Sequence, residues 1–305
     1  MNTLPLPGTI LPSSEIILGC MRIATMPVKE VSRLLNTALD AGINFFDHAD
    51  IYGAGKSESV FADALELTPT QRGKIFIQTK CGIRKGYYDF SKEHILASVD
   101  ASLQRLRTEY VDILLLHRPD TLMEPEEVAE AFNTLESAGK VRHFGVSNHN
   151  PGQIELLQKY VKQPLIINQL QFSITNSGMI DRGINVNMEI PASVDHDGGI
   201  LEYCRLKDIR IQPWSPFLFG FFDGVYIDHP KFPELNAVLD RLAKEKNVTK
   251  ETLVIAWILR HPAKMQPVVG TTNPKRLADI CKASDITLTR PEWYEIYRAA
   301  GKKLP

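Results

Sequence analysis

Side chains able to act as acid, base or nucleophile lie at or just past the ends of consecutive apolar runs. Asp47, Lys80 and His117 end three such runs, and Tyr52 follows Asp47 in the next loop. Poorly solvated charges at strand ends should pair with one another, so we expect these groups to be neighbours. Together they could transfer protons, form a Schiff base through Lys80 or bind a metal ion.

The elements that must position these residues alternate along the chain. Eight short apolar runs read as strands, at residues 15–21, 42–46, 74–80, 111–117, 141–148, 165–172, 209–215 and 267–271. Between them, segments such as 31–39, 95–106 and 128–135 carry apolar residues at the spacing of a helix face. Eight alternating units predict an α/β fold, a (β/α)8 TIM barrel, whose chemistry lies at the carboxyl ends of the strands.

The last two intervals between predicted strands are too long for one helix each. Residues 173–199 read as irregular, and an aromatic stretch at 216–222 precedes helices near 232–246 and 249–260. We therefore expect long loops after the sixth and seventh strands, of the kind that often carry function. No linker divides the chain, which predicts one domain over residues 1–305 with the proline-rich segment 1–14 capping one end.

Composition bounds the partners and the compartment. The 305 residues carry 35 Lys plus Arg and 36 Asp plus Glu, so no basic excess favours nucleic acid or a membrane surface. The four cysteines form no metal or disulfide pattern, and neither a signal peptide nor a spanning segment is visible. We expect a cytoplasmic protein that acts on a small molecule, and the sequence does not define its oligomeric state.

Five motifs, in order, resemble those of the aldo-keto reductases, and their exact residues resemble the bacterial oxidoreductase subgroup. They are DHADIYG at 47–53, QTKCG at 78–82, LLLHRPD at 114–120, GKVRHFGVSN at 139–148 and NQ at 168–169. The resemblance implies a TIM barrel that reduces aldehydes or ketones to alcohols with NADPH or, less often, NADH.

The resemblance implies a catalytic tetrad of Asp47, Tyr52, Lys80 and His117. Tyr52 would give the proton, Lys80 would lower the high pKa of its phenol, and Asp47 would keep Lys80 charged and oriented. His117 would bond the substrate oxygen. His48 stands where the family commonly has Thr, and we expect a buried structural donor there, the alternative being a second titrating group.

The resemblance also implies a cofactor site. Its residues would hold the carboxamide (Ser147, Asn148, Gln169), the nicotinamide ring (Trp214), the pyrophosphate (Ser215 to Gly220) and the adenosine-phosphate end (Thr271, Asn273, Arg276, Asp279). At that end Arg276 would bind the ribose 2′-phosphate and Asp279 the adenine. A helix starting at Pro274 would place its N-terminus near phosphate. Arg276 favours NADPH, whereas Gly270, where the family usually has Lys, leaves NADH possible.

Several alternatives stay open. A pocket wall of Met21, Arg22, Tyr87 and Phe217 favours an apolar or aromatic carbonyl substrate, although Arg22 and Arg118 could instead receive a carboxylate. A cofactor-binding regulatory protein with little turnover is the alternative function. A Schiff base on Lys80 is disfavoured because Asp47 keeps the amine charged, and the spacing matches no standard zinc pattern, so we expect no metal.

Overall fold

The computed structural model describes residues 1–7 and 12–304, and within them eight parallel strands close into a barrel. In chain order the strands are β1 (Thr3–Pro5), β2 (Pro12–Ser14), β3 (Ile17–Gly19), β4 (Phe45–Asp47), β5 (Phe76–Cys81), β6 (Val111–Leu116), β7 (Val141–Ser147), β8 (Leu165–Gln171), β9 (Arg210–Trp214), β10 (Leu218–Phe219), β11 (Gly224–Val225) and β12 (Val268–Val269). The barrel runs from β3 through β9 and closes through β12, and each of its strands lies within one predicted run or extends it by one residue. The predicted (β/α)8 fold is confirmed.

Helices surround the barrel, and most of them bury an apolar face. They are α1 (Val28–Asp40), α2 (Lys56–Leu65), α3 (Pro69–Arg72), α4 (Lys92–Leu106), α5 (Pro125–Ser137), α6 (Pro151–Tyr160), α7 (Gly178–Ile184), α8 (Ile200–Leu206), α9 (Pro233–Lys246), α10 (Lys250–Leu259), α11 (Pro274–Cys281) and α12 (Arg290–Ala299). In α1, for example, Val31, Leu34 and Leu35 are buried at three- and four-residue spacing. Within the described residues no helix is long and apolar enough to cross a membrane.

The two long loops are present, with more structure than expected. Residues 173–199, predicted to be irregular, contain α7, so that prediction is wrong for 178–184. Met179 and Ile180 are buried there, and Asp181 accepts hydrogen bonds from Ser177 and Tyr297. Tertiary contacts thus stabilise a helix too short to show a periodic pattern. In the second loop, β10 and β11 form a hairpin before α9 and α10.

The barrel interior holds a buried apolar cluster toward its amino end and the predicted polar side chains at its carboxyl end. Phe45 and Phe76 belong to a buried cluster inside the barrel, which Leu6 joins. Side chains alternate along a strand, so Asp47 shares the inward face with Phe45, and Lys80 shares it with Phe76. The described part of segment 1–14 therefore packs at the amino end, as predicted for a cap, and residues 8–11 lie outside the described residues.

Candidate active site

The carboxyl ends of β4, β5 and β6 bring the predicted catalytic side chains to one rim. Asp47 ends β4, Lys80 lies one residue before the end of β5, and His117 directly follows β6. Tyr52 lies in a turn closed by a hydrogen bond from its own N–H to Ala49 O (3.1 Å). Gly53 permits this turn, since its φ is +58° and a Cβ would lie 2.4 Å from the Ala24 Cβ.

Lys80 is the centre of the cluster and is fully buried. Its Nζ lies 2.8 Å from each carboxylate oxygen of Asp47, and it donates to His48 O (2.7 Å) and to Tyr52 Oη (3.2 Å). Burial disfavours the ammonium, but the Asp47 charge, Tyr52 and these hydrogen bonds outweigh it and raise the pKa of Lys80. Lys80 is therefore a fixed cation aimed at the Tyr52 oxygen.

Tyr52 stays a protonated phenol in this setting. Burial of the hydroxyl raises the pKa of Tyr52, Lys80 lowers it, and Asp47 adds to the increase, so the net direction is upward. The predicted lowering is correct for the effect of Lys80 and wrong for the net pKa, because desolvation of a phenolate outweighs one cation that Asp47 already neutralises. The form present near neutral pH is the one that can donate a proton.

His117 is a neutral imidazole beside Tyr52. Its ring lies edge-on to the Tyr52 ring, with the centroids 6.1 Å apart. Burial, together with the charges of Lys80 and Arg118, holds the pKa of His117 well below its usual value. Among the described residues its buried Nδ1 has no hydrogen-bond partner. A neutral ring can donate one N–H to a substrate oxygen without adding charge.

His48 behaves differently from both expectations. It is fully buried edge-on to Phe61, and neither ring nitrogen finds a partner among the described residues. Burial and the Lys80 charge lower the pKa of His48 to about 3. The predicted structural donor is wrong, and so is a group that titrates near neutrality. His48 fills space as an uncharged ring.

A cavity of about 670 Å³ opens over this rim. Its wall includes most of the predicted site residues: Met21, Arg22, Asp47, Tyr52, His117, Ser147, Asn148, Gln169, Trp214, Ser215, Phe217, Thr271 and Arg276. The cavity thus runs from the tetrad to the start of α11. Lys80 lies behind the wall, in contact with Asp47 and Tyr52.

The ends of β7 and β9 hold the middle of the cavity. Trp214 Nε1 donates to Asn148 Oδ1 (3.1 Å), and Asn148 Nδ2 donates to Ser147 Oγ (2.8 Å). Phe222 stacks on the Trp214 ring at 5.8 Å, and the Arg118 guanidinium lies 5.6 Å from the ring centroid. Trp214, the residue predicted to stack on the nicotinamide ring, therefore already contacts Phe222 and Arg118.

At the far end, α11 begins with Asn273 as its cap and Pro274 in the first turn. Asn273 Oδ1 accepts from the Arg276 N–H (3.0 Å), so Asn273 orders the helix start rather than lining the cavity. The half-exposed Arg276 guanidinium lies 3.4 Å from Glu251, which also lines the cavity. Asp279 pairs instead with Lys282 at 2.6 Å, away from the wall.

Two further predicted residues also lie outside the cavity wall. Tyr87 is exposed in the loop after β5, where the Arg84 guanidinium lies 6.0 Å from its ring. Gly220 forms the β10–β11 turn with φ +58°, and a Cβ there would meet the Asp223 carboxylate at 1.9 Å. A turn requirement therefore explains this glycine.

Sequence reasoning missed two buried polar residues of the site, Gln78 and Gln212. Each lies two positions before a predicted site residue, Lys80 and Trp214 respectively. Because strand side chains alternate, position i−2 faces the same side, which was the available signal. Glu251, which contacts Arg276, was also missed, and nothing in its helical segment distinguishes it from a solvated carboxylate.

Comparisons with known proteins agree with this geometry. The profile of the Aldo/keto reductase family matches residues 15–300. The chain is 37% identical over 289 residues to an uncharacterized oxidoreductase, YcsN, of Bacillus subtilis, with 90% of each protein covered. It is 36% identical over 307 residues to a 6-dehydroglucose reductase of Agrobacterium fabrum, covering 95% of this chain and 96% of the relative.

A crystal structure of the thermostable aldo-keto reductase Tm1743, in complex with the inhibitor epalrestat, shares the fold with a TM-score of 0.77. That match has 24% identity and covers 98% of this chain and all of the other. Because the family profile matches residues 15–300 and the two relatives are 36% and 37% identical over most of the chain, the chain belongs to the aldo/keto reductase family. It is an NAD(P)H-dependent oxidoreductase, and carbonyl reduction is the general activity of its class.

Proposed function

We propose that this protein reduces aldehydes or ketones to alcohols with NADPH, and that Tyr52 supplies the proton. One observation carries the proposal: Lys80 Nζ joins Asp47 (2.8 Å) to the Tyr52 oxygen (3.2 Å) at the wall of a large cavity. This arrangement supplies a proton donor and a cation that stabilises its conjugate base. Acyl or phosphoryl chemistry would call for other groups.

The cavity residues fit a nicotinamide dinucleotide. The wall joins a flat indole, Trp214, to a helix start that presents Arg276, which suits an aromatic ring at one end and phosphate at the other. When bound, the cofactor supplies a hydride to the carbonyl carbon. Gln169 Nε2 is engaged by Asp47, so its Oε1 is the group that can accept from the carboxamide.

The remaining carboxamide contacts fall to Ser147 and Asn148, and the backbone from Ser215 to Gly220 would lie beside the pyrophosphate. Thr271 and Arg276 would meet the adenosine phosphates, with Arg276 selecting the 2′-phosphate of NADPH through charge-assisted hydrogen bonds. Asn273 contributes by capping α11, and Asp279 would serve the adenine only by leaving Lys282.

The proton transfer follows from the hydrogen bonds. Tyr52 gives its proton to the developing alkoxide, and the Lys80 ammonium, already donating to the Tyr52 oxygen, stabilises the phenolate that forms. Asp47 and His48 O hold that ammonium in place. His117, kept neutral by burial, donates to the same substrate oxygen and orients the carbonyl.

Met21, Phe217 and Phe222 line the cavity beside Arg22 and Arg118, so the substrate would be a small carbonyl compound with either an apolar or an anionic remainder. The name of the Agrobacterium relative adds a third class, a sugar aldehyde, to be tested. One domain over 1–305, a cytoplasmic location and the lack of nucleic-acid partners stay predictions.

The test is an initial-rate assay of NADPH and NADH oxidation with aromatic, anionic and sugar aldehydes. We expect turnover with NADPH and a loss of NADPH preference in Arg276→Met of about 10-fold or more, as for a lost charge-assisted bond. Lys275→Met, the exposed neighbour on α11, is the matched control and should keep the preference. Tight NADPH binding without turnover of any carbonyl would refute the proposal and favour the regulatory alternative.

A further inference from the structure

The Asp47 carboxylate belongs to a closed hydrogen-bonded ring whose other members are buried glutamine amides. Gln78 Nε2 donates to Asp47 Oδ1 (2.6 Å) and to Gln212 Oε1 (2.9 Å). Gln169 Nε2 donates to the same two oxygens, at 3.0 and 3.1 Å. Asp47, Gln78, Gln212 and Gln169 therefore form a closed ring, of which Asp47 and Gln169 line the cavity and Gln78 and Gln212 do not.

The ring continues toward the amino end of the barrel. Gln212 Nε2 donates to Gln266 Oε1 (3.3 Å), and Gln266 Nε2 donates to Ser14 O (2.6 Å) and Ser13 Oγ (3.1 Å). Gln212 and Gln266 are completely buried. A line of amides thus joins the β1–β2 hairpin to the tetrad through the centre of the barrel, where branched aliphatic side chains are usual.

Acceptors fix the orientation of every amide in this line. The Asp47 carboxylate can only accept, so Gln78 and Gln169 must turn their NH₂ groups toward it. Gln212 must then present its oxygen to both, which directs its own NH₂ to Gln266. A flipped amide anywhere would set two oxygens against each other, so the ring has one stable arrangement.

In Gln78, only the NH₂ group of the side-chain amide makes hydrogen bonds within the part of the chain that the structure describes. Its Oε1 is buried and has no partner among the described residues, while its Nε2 makes both contacts. An unpaired buried oxygen costs free energy that an apolar side chain would avoid. A residue serving only to fill the barrel would not need this amide.

We infer that Gln78 and Gln212 are positioning residues of the reduction, which with Gln169 fix the Asp47 carboxylate so that it holds Lys80 against Tyr52. The inference rests on the proposed function for its catalytic meaning. The effect of the ring on the Asp47–Lys80 pair can be measured separately, because the protonation of Lys80 can be followed without turnover.

The experiment compares Gln78→Met and Gln212→Met with Gln163→Met in the full-length protein. Gln163 is a matched control: it is buried, and its Nε2 also donates to a carboxylate, that of Glu136 (2.7 Å), but it lies outside the barrel. Gln212→Met breaks the ring without removing a contact to Asp47, so one variant remains informative if the other folds poorly.

The first readout is the ¹⁵N–¹H signal of the Lys80 ammonium, assigned by its loss in Lys80→Met. In Gln78→Met we expect this ammonium to lose its proton about one pH unit lower, because Asp47 holds it less firmly, a tenfold change in its protonation constant. Gln163→Met should leave the titration unchanged. An unchanged titration in both ring variants overturns the inference, whether or not the protein reduces carbonyls.

The second readout is kinetic. Removing a hydrogen-bond partner that orients a metal ligand typically costs about 10- to 100-fold. Gln78 orients Asp47 in the same way, so kcat should fall by about tenfold in Gln78→Met. KM and the Kd for NADPH, measured by fluorescence, should change less than about twofold, since neither ring glutamine touches the cavity. The inference would be overturned if kcat fell no further in Gln78→Met than in Gln163→Met, or if only KM changed. If the wild type turns over no carbonyl while the ammonium titration shifts, the proposed function fails and the positioning role stands.

Discussion

Replacing Lys80 by Met removes the cation of a buried ion pair and leaves its partner in place. Asp47 is 2% exposed, and Lys80 contacts both of its oxygens at 2.8 Å. Breaking such a pair on one side typically costs about 3–5 kcal/mol, because the remaining charge has no counter-ion. Asp47 keeps the amide donors Gln78 and Gln169, so we expect a cost near the lower limit, about 3 kcal/mol.

The Asp47→Leu/Lys80→Met double variant separates the pair from its surroundings. It leaves no unpaired charge, so its loss of stability should be smaller than the sum of the single losses by about 2 kcal/mol. The assay is equilibrium urea unfolding of the four proteins at pH 7, followed by circular dichroism. Strictly additive losses would show that Asp47 and Lys80 do not act as an ion pair, and hence that Asp47 does not hold Lys80 as a cation beside Tyr52.

Three other substitutions give separate checks. Glu251→Gln removes the carboxylate 3.4 Å from Arg276 and should raise NADPH affinity up to about fivefold while leaving NADH affinity unchanged; fluorescence titration that finds weaker NADPH binding would contradict this. Burial and the nearby Glu58 raise the pKa of Asp50 to about 6. Because this carboxyl ionises less readily in the folded state, the folded protein loses stability as pH rises from about 4 through 6. Asp50→Asn should therefore be more stable than wild type by up to about 3 kcal/mol at pH 7.5 and equally stable at pH 4 in urea unfolding; an equal difference at both pH values would rule this out. The pKa of His48 is lowered to about 3, so wild type loses stability as pH falls below about 6.5, and His48→Leu should remove about 3 kcal/mol of that loss at pH 4; parallel stability curves would exclude His48 as the source.

The strands and the tetrad were predictable because each follows from a local pattern. Apolar runs alternating with amphipathic segments define the barrel, and the polar residue ending a run reaches its rim. Asp47, Lys80 and His117 follow this rule directly. The helix α7 does not, because contacts made by Asp181 with distant residues stabilise it.

The details that sequence reasoning missed depend on three-dimensional burial. The net pKa direction of Tyr52 is decided by desolvation, whose size no spacing reveals. The roles of Asn273 and Asp279 depend on their local partners: Asn273 accepts from the Arg276 N–H, and Asp279 pairs with Lys282. In the sequence, Gln78 and Gln212 of the amide ring stand out only as glutamines two positions before predicted site residues. Their contacts with Asp47 and with each other depend on the closure of the barrel.

The role of Tyr52 as proton donor is tested most directly by single-turnover hydride transfer in wild type and Tyr52→Phe. Each protein is loaded with NADPH and mixed with an aldehyde that the wild type reduces, and absorbance at the nicotinamide band is followed. General acid catalysis contributes about 10²- to 10⁴-fold, so the rate should fall by at least about 100-fold in Tyr52→Phe. The Kd for NADPH should stay within about twofold, because the phenol oxygen bonds Lys80 and not the predicted cofactor residues. A Tyr52→Phe rate within about threefold of wild type would show that another group delivers the proton.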